Sequence, residues 1–176
     1  MNLAARARSA SLPPLRGTAE ARGSLADFIW FRCGGPAEWL VRPADAEDLA
    51  RLFSGYGSVI AARVFDHSKI ERLTAAASVP VINLLTDESH PIQILADLLT
   101  IRAEFGQLHD LTIAWVGDGN NVARSMALGA MLVGANFRIA HPDGYGFSAK
   151  TSADLAKAGC VPFIARDPQT AVSGAD

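Results

Sequence analysis

The sequence is short of cysteine, of net charge and of long apolar runs, and each shortage excludes something. Only two cysteines occur in 176 residues, Cys33 and Cys160, far apart. They form no metal-ligand pattern and no disulfide framework, so both read as reduced and a cytoplasmic location is expected. No stretch approaches the roughly 18 consecutive apolar residues of a membrane span, so no membrane partner is expected. The formal net charge is −2. That denies the chain the broad basic face on which phosphate neutralisation depends, so nucleic acid is not an expected partner. A small anion remains possible, because a local cluster of donors can hold one inside a near-neutral protein. His67, His109 and His141 lack ligand partners at useful spacing, so no metal is expected. No Ser–His–Asp or Cys–His arrangement is recognisable, and Cys160 reads as a buried small hydrophobe opening a strand.

Apolar residues supply 49 % of the chain, enough for a real core. Residues 1–24 contain the basic, acid-free "NLAARARSASLPPLR", which superficially suits a transit peptide but has no apolar h-region. They read as a disordered basic leader. "FIWFRCGGPAEWLVRP" places two apolar runs around a Gly-Gly-Pro turn, and its aromatics Phe28, Trp30, Phe31 and Trp39 read as core. "ADAEDLARLF" is a short helix capped near Asp45. Strand and helix then alternate: a strand at Val59–Val64, a helix "SKIERLTAAA" capped by Ser68, a strand "VPVINLL", and a long helix from Pro91 to about Phe105. A Leu111–Val116 strand, a tight turn and a helix follow, then "NFRIA", "SADLAKAG" and "CVPFIAR", with "DPQTAVSGAD" starting a helix or loop. Such alternation predicts an α/β protein with incomplete parallel βαβ sheets.

Three places could carry chemistry. In "SHPIQILADLLT", Pro91 suits the first helical position, which puts His90 at the N-cap and Gln93 on the first turn. A helix N-terminus attracts anions and polar carbonyls. Ile92, Leu95, Leu98 and Leu99 would form the buried side, and the plain alternative is that His90 and Gln93 only finish the helix. Arg63 ends the apolar strand "IAARVF", where open α/β sheets bind ligands, unless it snorkels from an edge strand. "VGDGNNV" joins a strand to a helix and offers the amides of Asn120 and Asn121. It half matches a dinucleotide fingerprint, with Val122 in place of the third glycine and no convincing acid after the next strand, and it can equally be turn chemistry.

Together these motifs carry a resemblance. "ARVFDHSKIERLTAAASVPVINLLTDESHPIQILADLLTI" followed by "LTIAWVGDGNNVARSM", with the later "HPDGYG" and "RDPQTAVSGAD", resembles ornithine carbamoyltransferase from about Ser54 to Asp176. The resemblance implies the end of a carbamoyl phosphate domain over 54–105 and the first half of a Rossmann-like ornithine-binding domain over 106–176, linked by the helix from Pro91. It implies carbamoyl phosphate and L-ornithine as substrates, L-citrulline and phosphate as products, a role in arginine biosynthesis, and no cofactor. Arg63 and His90 would contact the carbamoyl oxygen and stabilise its developing charge, and Gln93 would orient the carbamoyl group. His90, Pro91, Ile92 and Gln93 would line the substrate, and Asn121 would meet the amino-acid end of ornithine. A homo-oligomer, a trimer in the family, would be its assembly. The family's Ser-x-Arg-Thr-Arg phosphate loop does not precede Arg63, and Leu84 stands where a glycine is usual. The Asp-x-Trp-x-Ser-Met and His-Cys-Leu-Pro segments would fall after Asp176. The expectation is a truncated enzyme with weak turnover or none alone.

Residues 12–53, with "LPPLRG" and "WFRCGGPAEWLVRPADAEDL", resemble instead the opening of UDP-N-acetylenolpyruvoylglucosamine reductase, a flavoenzyme of peptidoglycan synthesis. This resemblance implies a reductase-like fragment over 25–53 and a chimera overall. The flavin loop Gly-Gly-x-Ser-Asn is missing, so no flavin is expected. The alternatives to a carbamoyltransferase are thus a fragment of a flavin-dependent reductase and a non-catalytic binding or interaction module, since incomplete sheets expose edges and apolar faces.

Overall fold

The computed structural model describes residues 12–176, so the first part of the expected leader lies outside the described residues. The chain forms two compact units. One comprises residues up to Ala62 with Ser68–Ile82, and the other Arg63–His67 with Asn83–Asp176.

In the first unit, β1 (Thr18–Ala21) pairs antiparallel with β2 (Trp39–Arg42), Thr18 opposite Arg42 and Ala21 opposite Trp39. β1 lies inside the stretch expected to be a disordered leader, which is not so over these residues. Its partner strand and a buried carboxylate order it. Asp48, fully buried in the first turn of α1 (Ala46–Tyr56), accepts from the backbone N–H groups of Arg16 (2.9 Å), Gly17 (2.9 Å) and Ala44 (3.0 Å). These bonds hold the Asp48 carboxyl below the usual carboxylate range. Asp45 caps the helix as expected, accepting from Asp48 N–H. The aromatics do not form a core: Phe28, Trp30, Phe31 and Trp39 are exposed, Trp30 by 93 %. The ribbon has only two strands, and a 3-10 turn (Ala26–Phe28) offers no opposing face to cover them. The apolar cluster of this unit is built from Ala50, Ile60 and Leu73.

Strands β3 (Ile60–Arg63) and β4 (Val81–Leu85) form a two-stranded sheet. Ile60 N–H donates to Pro80 O and Val64 N–H to Leu85 O, so the bonds advance together along both strands, as in a parallel pair. Between them runs α2 (His67–Ala76), which starts one residue before the expected cap Ser68.

The second unit holds a three-stranded parallel sheet, order β5 (Thr112–Val116), β6 (Asn136–Ala140), β7 (Phe163–Ile164). The helices are α3 (Pro91–Phe105), α4 (Asn121–Leu132), α5 (Ala149–Lys157) and α6 (Pro168–Val172). Its core comprises Ile94 and Leu98 of α3, Ala123, Met126, Ala127 and Ala130 of α4, Phe137 and Ile139 of β6, with Leu155 and Cys160. Cys160 is buried as expected; its thiol donates to Ala127 O, and burial pushes its pKa up. The buried stripe of α3 differs from the one expected. Ile94 and Leu98 face α4, whereas Ile92, Leu95 and Leu99 are exposed by 39, 62 and 68 %. Apolar residues occupy most of the helix surface, so periodicity could not select the face. Gly129 selects it: a Cβ there would lie 2.7 Å from Ile94 Cγ2, so this glycine lets α3 and α4 approach closely. Among the described residues no helix is long and apolar enough to cross a membrane.

One pH dependence follows in the first unit. Arg72 donates to both carboxylate oxygens of Glu47 (2.8 and 2.9 Å), and chiefly through this bond Glu47 is lowered from 4.5 to about 2. A depressed carboxylate contributes stability that is complete above its ordinary pKa and lost as pH falls through the folded value. The gap in melting temperature between wild type and Arg72→Ala should therefore narrow as pH falls from 4.5 to about 2. A gap that widens on acidification would contradict this assignment.

Candidate functional site

The residues singled out in the sequence all belong to the second unit. The loop from Thr86 to His90 joins β4 to α3, and its centre is the Thr86 hydroxyl. Thr86 is fully buried. Its Oγ1 lies 2.8 Å from His67 Nδ1 and accepts from Ser89 N–H (3.2 Å), while Thr86 N–H donates to Ser89 O (2.9 Å). The Asn83 amide donates to Ser89 Oγ (2.9 Å), and Asp87 accepts from His67 N–H (3.0 Å). The loop is thus a closed hydrogen-bonded turn whose exit direction is fixed.

At that exit stands His90, the N-cap of α3, with Pro91 in the first turn. The side chain makes no capping bond. Its Nδ1 is buried with no hydrogen-bond partner among the described residues, as is Oδ1 of Asn83 in β4. A buried polar atom left unsatisfied calls for an explanation, and a ligand is one. The backbone of His90 is anchored instead: its N–H donates to Ser125 Oγ at 2.9 Å, and Ser125 Oγ donates to Asn121 O at 2.7 Å.

Asn121 opens α4, one residue after the N-cap Asn120, whose Oδ1 accepts from Val122 and Ala123 N–H. The Asn121 amide nitrogen donates to Thr86 O at 2.6 Å. So His90 and Asn121 are brought into one network, through Ser125 and Thr86. The preceding turn requires glycine, since a Cβ at Gly119 would fall 2.5 Å from Phe147 N. Asn121 also lines a small polar cleft of about 210 Å³ with Asp87, Glu88, Arg124 and Lys150. Lys150 donates to Glu88 at 2.9 Å, and this bond lowers the Glu88 pKa and raises that of Lys150.

Arg63 and Gln93 are not drawn into this network. Arg63 ends β3 with an exposed side chain; the next residue, Val64, bonds Leu85, so Arg63 emerges beside the strand end that leads to Thr86. Gln93 turns along its own helix and donates to Asp97 (2.8 Å). Pro91 is half-buried and Ile92 exposed. Among the described residues no group of three or more His, Cys, Asp or Glu side chains could hold a metal. Asn83, Thr86 and Ser125 were not singled out from sequence. Ser125 alone left a signal, a polar residue four positions after Asn121 on an apolar helix.

Comparison with known proteins decides the family. The model of the aspartate/ornithine carbamoyltransferase carbamoyl-P binding domain matches residues 16–103, and that of the Asp/Orn binding domain matches residues 109–176. The chain belongs to the aspartate/ornithine carbamoyltransferase family. It is 47 % identical over 129 residues to an ornithine carbamoyltransferase of Haloquadratum walsbyi, covering 73 % of this chain and 43 % of that protein. A Carboxydothermus hydrogenoformans ornithine carbamoyltransferase is 45 % identical, with 78 and 45 % covered. The crystal structure of the Thermus thermophilus ornithine carbamoyltransferase aligns with a TM-score of 0.66 at 44 % identity, over 74 % of this chain and 44 % of that one. That of the Burkholderia thailandensis protein aligns with a TM-score of 0.70 at 35 % identity, over 77 and 46 %. The chain therefore spans about half the length of the curated relatives it matches. The carbamoyltransferase match begins at residue 16 and so takes in most of the stretch resembling the flavin reductase; the comparisons support neither that resemblance nor a chimera.

Thr86→Val keeps the shape and removes the hydroxyl, leaving half-buried groups of His67 and Ser89 without this partner. Urea unfolding should show a loss of about 1–3 kcal/mol, with Thr86→Ser close to wild type. Equal stability of Thr86→Val and wild type would remove Thr86 from its central place.

Proposed function

We propose that this chain carries part of an ornithine carbamoyltransferase site, acting on carbamoyl phosphate and L-ornithine in arginine biosynthesis. The observation that carries the reading is His90: an N-cap with a buried, unpartnered ring nitrogen, at the mouth of the "HPIQ" helix, in a member of this family. In the reaction the side-chain amine of ornithine attacks the carbamoyl carbon. The new C–N bond forms, the bond from carbon to the phosphate oxygen breaks, phosphate leaves with the electron pair and the amine loses a proton.

Negative charge grows on the carbamoyl oxygen as the amine adds. His90 and Arg63 are the donors assigned to it, and the N-terminus of α3 favours the same charge. Gln93 orients the carbamoyl group, which requires its amide nitrogen to exchange Asp97 for the substrate. Pro91 and Ile92 present the first turn of α3 to it. Asn121 has its nitrogen committed to Thr86, so its Oδ1 is the free end. That makes it an acceptor, suited to the α-ammonium group of ornithine. Catalysis rests on positioning and charge stabilisation, with no cofactor in the scheme. The sequence has no Ser-x-Arg-Thr-Arg loop to cradle the phosphate, so turnover by this chain alone is expected to be weak.

Binding therefore tests the reading better than turnover. Carbamoyl phosphate at millimolar concentration should raise the melting temperature, since a ligand stabilises the state it occupies. His90→Ala or Arg63→Ala should weaken that binding by about tenfold or more, the loss of one charge-assisted hydrogen bond. No shift for wild type would sink the proposal, and brisk citrulline formation would show that the phosphate loop is dispensable.

A further inference from the structure

We propose that Ser125 is a positioning residue for the site just described, setting the direction of the His90 ring through the backbone; the inference rests on that reading of His90.

The argument begins with what fixes His90. Its ring makes no capping bond, and Nδ1 has no partner among the described residues. Its backbone is not held by a regular element either, with φ −132° and ψ 65° outside the helical and extended regions. The first bond of α3, from Ile94 N–H to His90 O, is long at 3.4 Å. The short bond on this residue is the one its N–H donates to Ser125 Oγ, 2.9 Å, across 35 residues of sequence. Backbone dihedrals determine which rotamers a side chain can use, so anchoring this N–H constrains where the imidazole points.

Ser125 is suited to that task. It is 7 % exposed and sits one helical turn after Asn121. Its hydroxyl has one proton to give, and that proton goes to Asn121 O at 2.7 Å. With the proton committed, the oxygen presents lone pairs, and it must accept from His90 rather than compete with it. One atom thus bridges the backbones of the two residues assigned to opposite ends of the reaction. The helix needs no hydroxyl here, because alanine is the better helix former. The site does.

The experiment follows ring signals and binding in the full chain. Only four histidines are present, at 67, 90, 109 and 141, so the ring protons can be assigned by substitution, with His90→Gln identifying those of His90. In the absence of ligand, Ser125→Ala should move the His90 ring signals and leave those of His109 and His141 in place. Carbamoyl phosphate binding, read by titration calorimetry well below the melting temperature, should weaken by about tenfold. Ser125→Thr retains the hydroxyl and should restore both readouts. Should Ser125→Ala fold poorly, Ser125→Cys fills the space while accepting weakly. Unchanged His90 signals, or unchanged binding by a variant that has lost the hydroxyl, would overturn the proposal. If wild type binds no carbamoyl phosphate, the functional reading fails, and the ring signals in ligand-free protein still decide whether Ser125 positions His90.

Discussion

Thr86 follows β4 at the point where the chain must stop being a strand and aim a helix. A buried hydroxyl at that point can satisfy both a donor and an acceptor, and here it ties the His67 ring and the Ser89 backbone while its own carbonyl receives the Asn121 amide. Leaving any of these groups unpaired away from water is costly, so the loop has few other conformations open to it. His90, Gln93 and Asn121 all lie downstream. The turn delivers Ser89 and His90 at a fixed angle, Pro91 starts α3 without a missing donor, and the first turn of that helix carries Gln93.

Close packing of α3 on α4 completes the arrangement. Gly129 removes the side chain that would hold the helices apart, and Ile94 occupies the space. The same missing Cβ would also fall 3.3 Å from Leu98 Cδ1, so the approach is close at two successive turns of α3. Only such an approach allows Ser125, on α4, to reach the backbone of His90, before α3 begins. A polar bond at the mouth of the site therefore depends on an apolar contact one turn deeper.

Much of this was legible in the sequence, because the relevant signals are local. Pro91 and the apolar run to Phe105 bound α3 at the observed residues, and Asp45 caps as its type suggests. Strand and helix alternation gave the parallel sheets. What escaped notice depends on partners distant in sequence. β1 exists because β2 and Asp48 meet it. The aromatics from Phe28 to Trp39 looked like core because their composition is apolar, yet all four are exposed, and it is the Arg42 guanidinium that lies over the Phe28 ring. The face of α3 was misassigned because Ile92, Leu95, Leu98 and Leu99 are all apolar, and the choice between them was made by a glycine on another helix. Thr86 and Ser125 are common residue types whose role consists of bonds spanning 19 and 35 residues.

The acids of the same loop pose an electrostatic problem for an anion site. Asp87 and Glu88 lie three and two residues before the N-cap His90, and two free carboxylates there would oppose an anion as the α3 dipole favours it. Both are tied down. Asp87 accepts the His67 N–H at the start of α2, where a negative charge is itself stabilised, and Glu88 is paired with Lys150 and has its carbonyl held by Arg124. The pairing also depresses the Glu88 pKa, so this carboxylate stays charged and stays paired through the physiological range. Exposed pairs add little stability, so their value here is better sought in placement of charge than in energy of folding. Asp87 and Glu88 line one cleft with Asn121, the side that the proposed reading gives to the ammonium, while that reading gives His90 to the carbamoyl group. A single five-residue loop can in this way separate positive-seeking from negative-seeking surfaces, which is what a reaction between an amine and a phosphorylated carbonyl requires.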